Sequence, residues 1–246
     1  MKKKLIVANH KMNLDAKKVS VYIKLMQTRA NYSNVLVCPT SVYLPFFLKQ
    51  EYKVGLQNIY FGNSGSFTGE ISAEQAKSVG ASAVIVGHSE RREHFNESDD
   101  LINKKIKSAI ENDLNVILCI GEKINNKKKM KLIEEQIIKA LFKVPKLEKV
   151  IIAYEPVWAI GSNKTPTNRE IGETIFFIKD LLENKYGYHD FPVLYGGSVN
   201  KGNISTLEKI PGVNGYLIGG ASLKDEFFDI VEYINNNNEV TNNNYW

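Results

Sequence analysis

Val150-Ile151-Ile152-Ala153-Tyr154-Glu155, then Pro156-Val157-Trp158-Ala159-Ile160-Gly161-Ser162-Asn163-Lys164-Thr165-Pro166, then Thr167-Asn168-Arg169-Glu170 reads in order as a buried strand, a long loop and the start of a capped helix. The first run is continuously apolar rather than alternating, which suits a parallel strand covered on both faces. Thr167 to Glu170 forms a capping box, an N-cap hydroxyl with a carboxylate three residues on. Beyond it Ile171, Ile175, Ile178 and Leu182 recur at i, i+4, i+7 and i+11, a core-facing helical stripe, and Gly187 stands where a C-terminal cap belongs. The intervening loop is longer than the usual connection of this kind. It is apolar in its first half and small or polar in its second, the composition of a lid whose apolar tip covers a ligand.

The same unit recurs along the chain. Leu5–Asn9, Val35–Pro39, Val54–Asn58, Ala83–His88, Val116–Gly121, Val193–Gly197 and Gly215–Gly219 are further strand candidates. With 150–155 they make eight runs in 246 residues, about one per 30 residues, the size of a βα unit. Between them lie a second capping box, Ser72-Ala73-Glu74-Gln75, with Gly80 behind it, and a stripe at Ile133, Ile137, Ile138 and Leu141. Strict strand–helix alternation predicts an α/β fold of one domain, a closed (β/α)8 barrel over residues 1–234. The open doubly wound sheet is the rival, but it carries a Gly-rich turn after its first strand, and here Asn9-His10-Lys11-Met12-Asn13 has no Gly. Residues 235–246 read as an Asn-rich, flexible tail.

Composition narrows the function. Apolar residues make up 43% and charged residues 24%, ordinary values for a soluble globular protein. The net charge of +5 comes from 28 Lys and 4 Arg that are scattered, whereas nucleic-acid binders cluster their charge and favour Arg. Neither a nucleic-acid partner nor a membrane is expected, since no apolar run approaches the ~18 residues of a span. Lys127-Lys128-Lys129 reads as the solvated face of an opening helix. Leu5–Ala8 after Met1-Lys2-Lys3-Lys4 is too short for a secretion signal. Cys38 and Cys119 alone make no disulfide framework, so a cytoplasmic location is expected. Four dispersed His and no Cys/His spacing argue against a metal site, and no cofactor motif is present.

In a parallel barrel the strand ends gather on one face. They supply Asn9, Lys11, Asn58, His88, Glu122, Glu155, Gly196-Gly197-Ser198 and Gly219-Gly220. The two Gly pairs end the last two strands, where barrels frequently hold phosphate on backbone N–H groups. His88 precedes a helix start at Ser89 or Glu90, whose positive end disfavours an imidazolium and leaves a neutral proton donor or electrophile. Glu155 closes an apolar strand, a costly place for a carboxylate unless it serves as a base or sits in a structural ion pair. Lys11 is placed to balance a dianion or polarise a carbonyl. Cys119 reads as packing, since no imidazole partner is evident.

Eight segments stand in one family's order: Asn9–Asn13, Gln57-Asn58, Gly65–Glu70, Val86–Arg92, Cys119–Glu122, Ala153–Gly161, Tyr195–Val199 and Gly219–Leu223. On these the chain resembles the triosephosphate isomerases, the family that names the TIM barrel, from Asn9 to about Lys224. The resemblance implies cofactor-free and metal-free interconversion of dihydroxyacetone phosphate and D-glyceraldehyde 3-phosphate, in glycolysis and gluconeogenesis. It implies Glu155 as the base and His88 as the proton shuttle on the substrate oxygens, the pKa logic for which this enzyme is a standard worked example. It further implies Lys11 and Asn9 as enediolate stabilisers, and Gly161, Ser198, Gly219 and Gly220 as phosphate ligands alongside them. Glu90 would orient Lys11, and Pro156–Pro166 would be the lid that excludes water.

The resemblance also implies a homodimer. Phe67, Thr68, Gly69 and Glu70 would reach into the neighbouring subunit, Thr68 toward its Asn9/Lys11 region and Glu70 toward its Arg91. Three residues depart from the family pattern. His10 replaces an aromatic, most often Trp; Asn163 replaces a lid Gly; Pro166 replaces the hinge Ala. Pro166 fixes its own φ and restricts Thr165, so altered lid kinetics with intact chemistry are expected. The alternative function is an inactive barrel serving as a binding or scaffold protein. The presence of Asn9, Lys11, His88 and Glu155 together weighs against it.

Overall fold

The computed structural model describes residues 3–29, 32–48, 52–159, 165–189 and 191–237. Its strands are β1 (Leu5–Asn9), β2 (Val35–Cys38), β3 (Lys53–Leu56), β4 (Ala83–Val86), β5 (Asn115–Ile120), β6 (Val150–Tyr154), β7 (Val193–Tyr195) and β8 (Gly215–Ile218). Each pairs in parallel with the next, and β8 returns to β1 through Leu5↔Gly215 to Ala8↔Ile218, closing the barrel.

The apolar runs are continuous because each strand is buried on both faces. In β1 Leu5 and Val7 point into the barrel, while Ile6 and Ala8 point out beneath the helices. Leu36, Cys38, Ala83, Ile85, Ile117, Cys119, Ile151, Ala153, Leu194 and Leu217 join Leu5 and Val7 in the interior cluster. Both cysteines therefore pack inside the barrel, and burial pushes both thiols up.

The helices are α1 (Ala16–Thr28), α2 (Leu44–Phe47), α3 (Ala73–Ser78), α4 (Ser89–His94), α5 (Asp99–Glu111), α6 (Lys129–Ala140), α7 (Asn168–Tyr186), α8 (Ile204–Leu207) and α9 (Glu226–Asn237). Both capping boxes form, Ser72 with Gln75 and Thr167 with Glu170, and Gly187 caps α7 in the left-handed region. The α7 stripe is buried as expected. In α6 Ile133, Ile137 and, just past its end, Leu141 are buried as expected, but Ile138 is only half-buried and Gln136 and Ala140 complete the core face. A stripe of i, i+3, i+4, i+7 centres the face, and a polar residue falls within it. Lys129 also departs from the solvated reading: it is 9% exposed and lies over the Tyr154 ring, while Lys127 and Lys128 are exposed. Asn235 to Asn237 belong to α9; the rest of the tail, 238–246, lies outside the described residues.

Asn9 is the last residue of β1 and pairs with Cys38, but the other ladders end one to three residues before the polar residues expected at their ends. The β4 ladder stops at Val86 and His88 caps α4; β6 stops at Tyr154 and Glu155 follows. Those residues thus leave the pleat and turn across the barrel mouth.

Candidate active site

A cleft of about 340 Å³ opens at the C-terminal ends of the strands. It is lined by Asn9, Lys11, His88, Glu155, Ser198, Gly219 and Gly220, among others, so residues up to 211 positions apart come together. Gly161, and with it the lid segment Ile160, Ser162, Asn163 and Lys164, lies outside the described residues.

Glu155 is 2% exposed, and each of its oxygens faces a nitrogen. Oε2 accepts from the Ser89 backbone N–H at 3.0 Å, and Oε1 lies 3.1 Å from His88 Nε2. His88 Nδ1 accepts from the Glu90 backbone N–H at 3.3 Å. An accepting Nδ1 carries no proton, so this bonding places the ring proton on Nε2. Two glycines make room for Glu155. A Cβ on Gly196 would stand 3.0 Å from Glu155 Cγ, and one on Gly121 would stand 1.7 Å from the Glu155 carbonyl oxygen. Cys119 packs beneath: burial pushes its thiol up, and the Glu155 charge adds to this.

Lys11 has φ 51°, a left-handed backbone that costs a non-glycine residue about 1 kcal/mol or more. Three hydrogen bonds hold it there. Its N–H donates to Asn9 Oδ1 at 3.0 Å, and its carbonyl accepts from Gln57 Nε2 at 2.8 Å and Thr40 Oγ1 at 3.1 Å. The stem crosses Gly219, where a Cβ would meet Lys11 Cε at 3.2 Å. The ammonium ends on Glu90 Oε1. Burial pushes Glu90 up, but the Lys11 hydrogen bond and charge outweigh it and hold the carboxyl below its ordinary value. Thr40 carried no sequence signal of its own, because its role depends on a backbone strain that tertiary closure creates.

Two of the strand-end residues are not brought to the cleft. Asn58 Oδ1 accepts from Lys105 Nζ at 2.7 Å, beside the buried Glu97 that Lys105 and Arg91 share. Glu122, fully buried, accepts from Trp158 Nε1 at 2.8 Å and Tyr154 Oη at 3.1 Å, with Lys129 Nζ at 3.9 Å. Burial pushes its carboxyl up; Lys129 and the Trp158 donor pull the other way. Glu122 thus anchors the start of the loop expected to act as a lid, where Val157–Ala159 form one 3-10 turn. Pro166, at the far end, is buried.

The loop carrying Thr68, Gly69 and Glu70 is exposed at its tip. Phe67 is 44% exposed and rests on the Tyr60 ring at 4.4 Å. Arg91 pairs with Glu97 of its own chain and lies over the Phe95 ring. His10 is 1% exposed, edge-on to Tyr22 at 4.7 Å and Phe47 at 5.8 Å, and its Nε2 has no hydrogen-bond partner. Among the described residues no group of three His, Cys, Asp or Glu side chains could hold a metal ion.

A family profile described as triosephosphate isomerase matches residues 4–234. The chain is 39% identical over 248 residues to the triosephosphate isomerase of Clostridium botulinum strain Langeland, covering 95% of this chain and 100% of that one. It is 40% identical over 235 residues to that of Saccharomyces cerevisiae, covering 91% and 95%. It is 44% identical over 207 residues to that of Zygosaccharomyces bailii, covering 80% and 84%.

Proposed function

This chain belongs to the triosephosphate isomerase family, and from that premise we propose that its barrel mouth interconverts dihydroxyacetone phosphate and D-glyceraldehyde 3-phosphate with Glu155 as the base. The observation that carries the reading is the facing pair: a neutral His88 with its proton on Nε2, 3.1 Å from a carboxylate, in the cleft that also holds Lys11.

Substrate enters between these groups. Glu155 takes a proton from the carbon next to the carbonyl, and the C–H pair becomes the C=C bond of an enediolate. The carbonyl π pair moves onto oxygen, where His88 Nε2–H and the Lys11 ammonium meet the developing charge. His88 passes protons between the two oxygens, and Glu155 returns its proton to the neighbouring carbon. Every atom is conserved, so the step needs no added oxidant or reductant. Asn9 Oδ1 is engaged by the Lys11 backbone, which leaves its amide nitrogen as the donor to substrate oxygen. Ser198, Gly219 and Gly220 form the wall for the phosphate, with Gly161 added from the lid. Lid closure excludes water and keeps the enediolate from expelling phosphate. No observation favours the inactive-scaffold alternative.

The functional unit is a homodimer in which Phe67 to Glu70 dock near the partner's cleft; the exposure of Phe67 at 44% and Met12 at 93% supports this. Sedimentation equilibrium on the wild type and Phe67→Ser would show a dimer that the variant weakens, and a wild-type monomer would sink the assignment. A cytoplasmic location accords with this reading. No helix among the described residues is long and apolar enough to cross a membrane.

The deciding experiment is a coupled assay for isomerisation of glyceraldehyde 3-phosphate with Glu155→Gln as control. Turnover abolished by that change supports the reading. A folded protein without turnover refutes it.

A further inference from the structure

Gln136 is turned into the core from α6, 8% exposed, between Ile133, Ile137 and Ala140. A carboxamide in such a place is costly unless both of its ends are bonded. Here one residue satisfies both. Gly121 N–H donates to Gln136 Oε1 at 2.9 Å, and Gln136 Nε2 donates to the Gly121 carbonyl at 3.0 Å. Gly121 lies just past Ile120↔Tyr154, the last register pair of β5 and β6. The side chain therefore replaces the ladder at the point where the ladder stops.

That point bears on the base. The Glu155 N–H donates to Ile120 O at 2.8 Å, and the Glu155 carbonyl presses on Gly121 so closely that a Cβ there would stand 1.7 Å away. The carboxylate end of the same residue rests on Ser89 N–H. Gln136 does not line the 340 Å³ cleft. It lines, with Gly121, Ser89 and Val157, a separate cleft of about 420 Å³ behind the base.

We infer that Gln136 is a positioning residue for the isomerisation: it grips Gly121 and through that contact sets where the Glu155 backbone, and so its carboxylate, stands over the substrate carbon. The inference rests on Glu155 being the base. A hydrocarbon side chain would fill the same space without the grip, and a displacement of about 1 Å at a reacting group costs up to about 100-fold in rate.

The test uses Gln136→Leu and Gln136→Glu beside the wild type, each followed by steady-state kinetics and thermal unfolding. Absence of wild-type turnover would defeat the isomerase reading itself, independently of Gln136. With an active wild type, Gln136→Leu should lower kcat about 10- to 100-fold with KM within about twofold. Gln136→Glu supplies a second readout that survives if the Leu variant does not fold. An ionised carboxylate repels the Gly121 carbonyl, whereas a protonated carboxyl carries one donor and one acceptor, as the amide does. Burial raises that carboxyl's pKa, while the Arg92, Lys123, Lys128 and Lys129 cations lining the same cleft lower it, so the ratio of variant to wild-type kcat should climb as pH falls from about 8 to about 5. A lower unfolding temperature with unchanged kcat, or a ratio that is flat with pH, would overturn the inference.

Discussion

His88 Nε2 stands 3.1 Å from Glu155 Oε1 while Ser89 N–H holds the other oxygen at 3.0 Å. Glu155 is thus held by protein donors at both oxygens. On the roles proposed above, substrate takes the Nε2 proton for its own oxygen, and that exchange frees Glu155 to move over carbon. Binding and activation of the proposed base would then be coupled through one shared donor.

Glu155→Gln keeps shape and burial but removes the proton acceptor. We expect kcat to fall by about three powers of ten or more, with little change in the urea midpoint. The coupled assay checks it; a variant within tenfold of wild type would remove Glu155 from the role of base.

Gly196→Ala places a methyl 3.0 Å from Glu155 Cγ, tighter than ordinary contact but against a side chain that can yield. The expected outcome is a folded enzyme with a lowered kcat, about tenfold. Gly121→Ala places its Cβ 1.7 Å from a backbone oxygen, which cannot yield without moving β6. That variant should lose more than about 3 kcal/mol or fail to accumulate as folded protein. Chemical unfolding of the two side by side separates the cases.

Burial lowers the His10 pKa from 6.5 to about 4. A folded pKa below the unfolded one means that the unfolded chain binds the extra proton first. The neutral ring's contribution is therefore complete above about pH 6.5 and is lost as pH falls toward 4, by roughly 3 kcal/mol in all. His10→Phe keeps an aromatic against Tyr22 and Phe47 without the titration. Its stability should fall less steeply than wild type between pH 7 and 4.5, and parallel curves would show that His10 is not the titrating group.

Glu122→Ala releases Trp158 Nε1 and leaves Lys129 without its buried counter-charge. We expect a destabilised lid base, with lower Trp158 fluorescence anisotropy and kcat reduced several-fold. The measurement belongs in a Trp246→Phe background so that one indole reports. Unchanged anisotropy would show that Glu122 does not anchor the lid.

Pro166→Ala frees φ at the buried end of the lid and relaxes Thr165. Loop exchange rates measured by NMR relaxation should change while the rate of the proton-transfer step stays near wild type. Identical exchange rates would refute a kinetic role for Pro166.

Sequence alone determined the barrel and most of its mouth, because both depend on short-range patterns. Runs apolar on both faces, repeated at the spacing of βα units, suit parallel strands buried on both sides, and capping boxes mark helix starts within four residues. Asn9, Lys11, His88, Glu155, Ser198, Gly219 and Gly220 were legible because a parallel barrel delivers every strand end to one place. Tertiary structure alone decided which strand-end side chains turn into the cleft. Asn58 and Glu122 share the sequence signature of His88 and Glu155, yet turn to Lys105 and to Trp158. Their direction is set by partners dozens of residues away, which no local pattern encodes. The same holds for Gln136: helical periodicity placed Ile138 in the core, and only packing against Gly121 shows that a carboxamide fills the face instead.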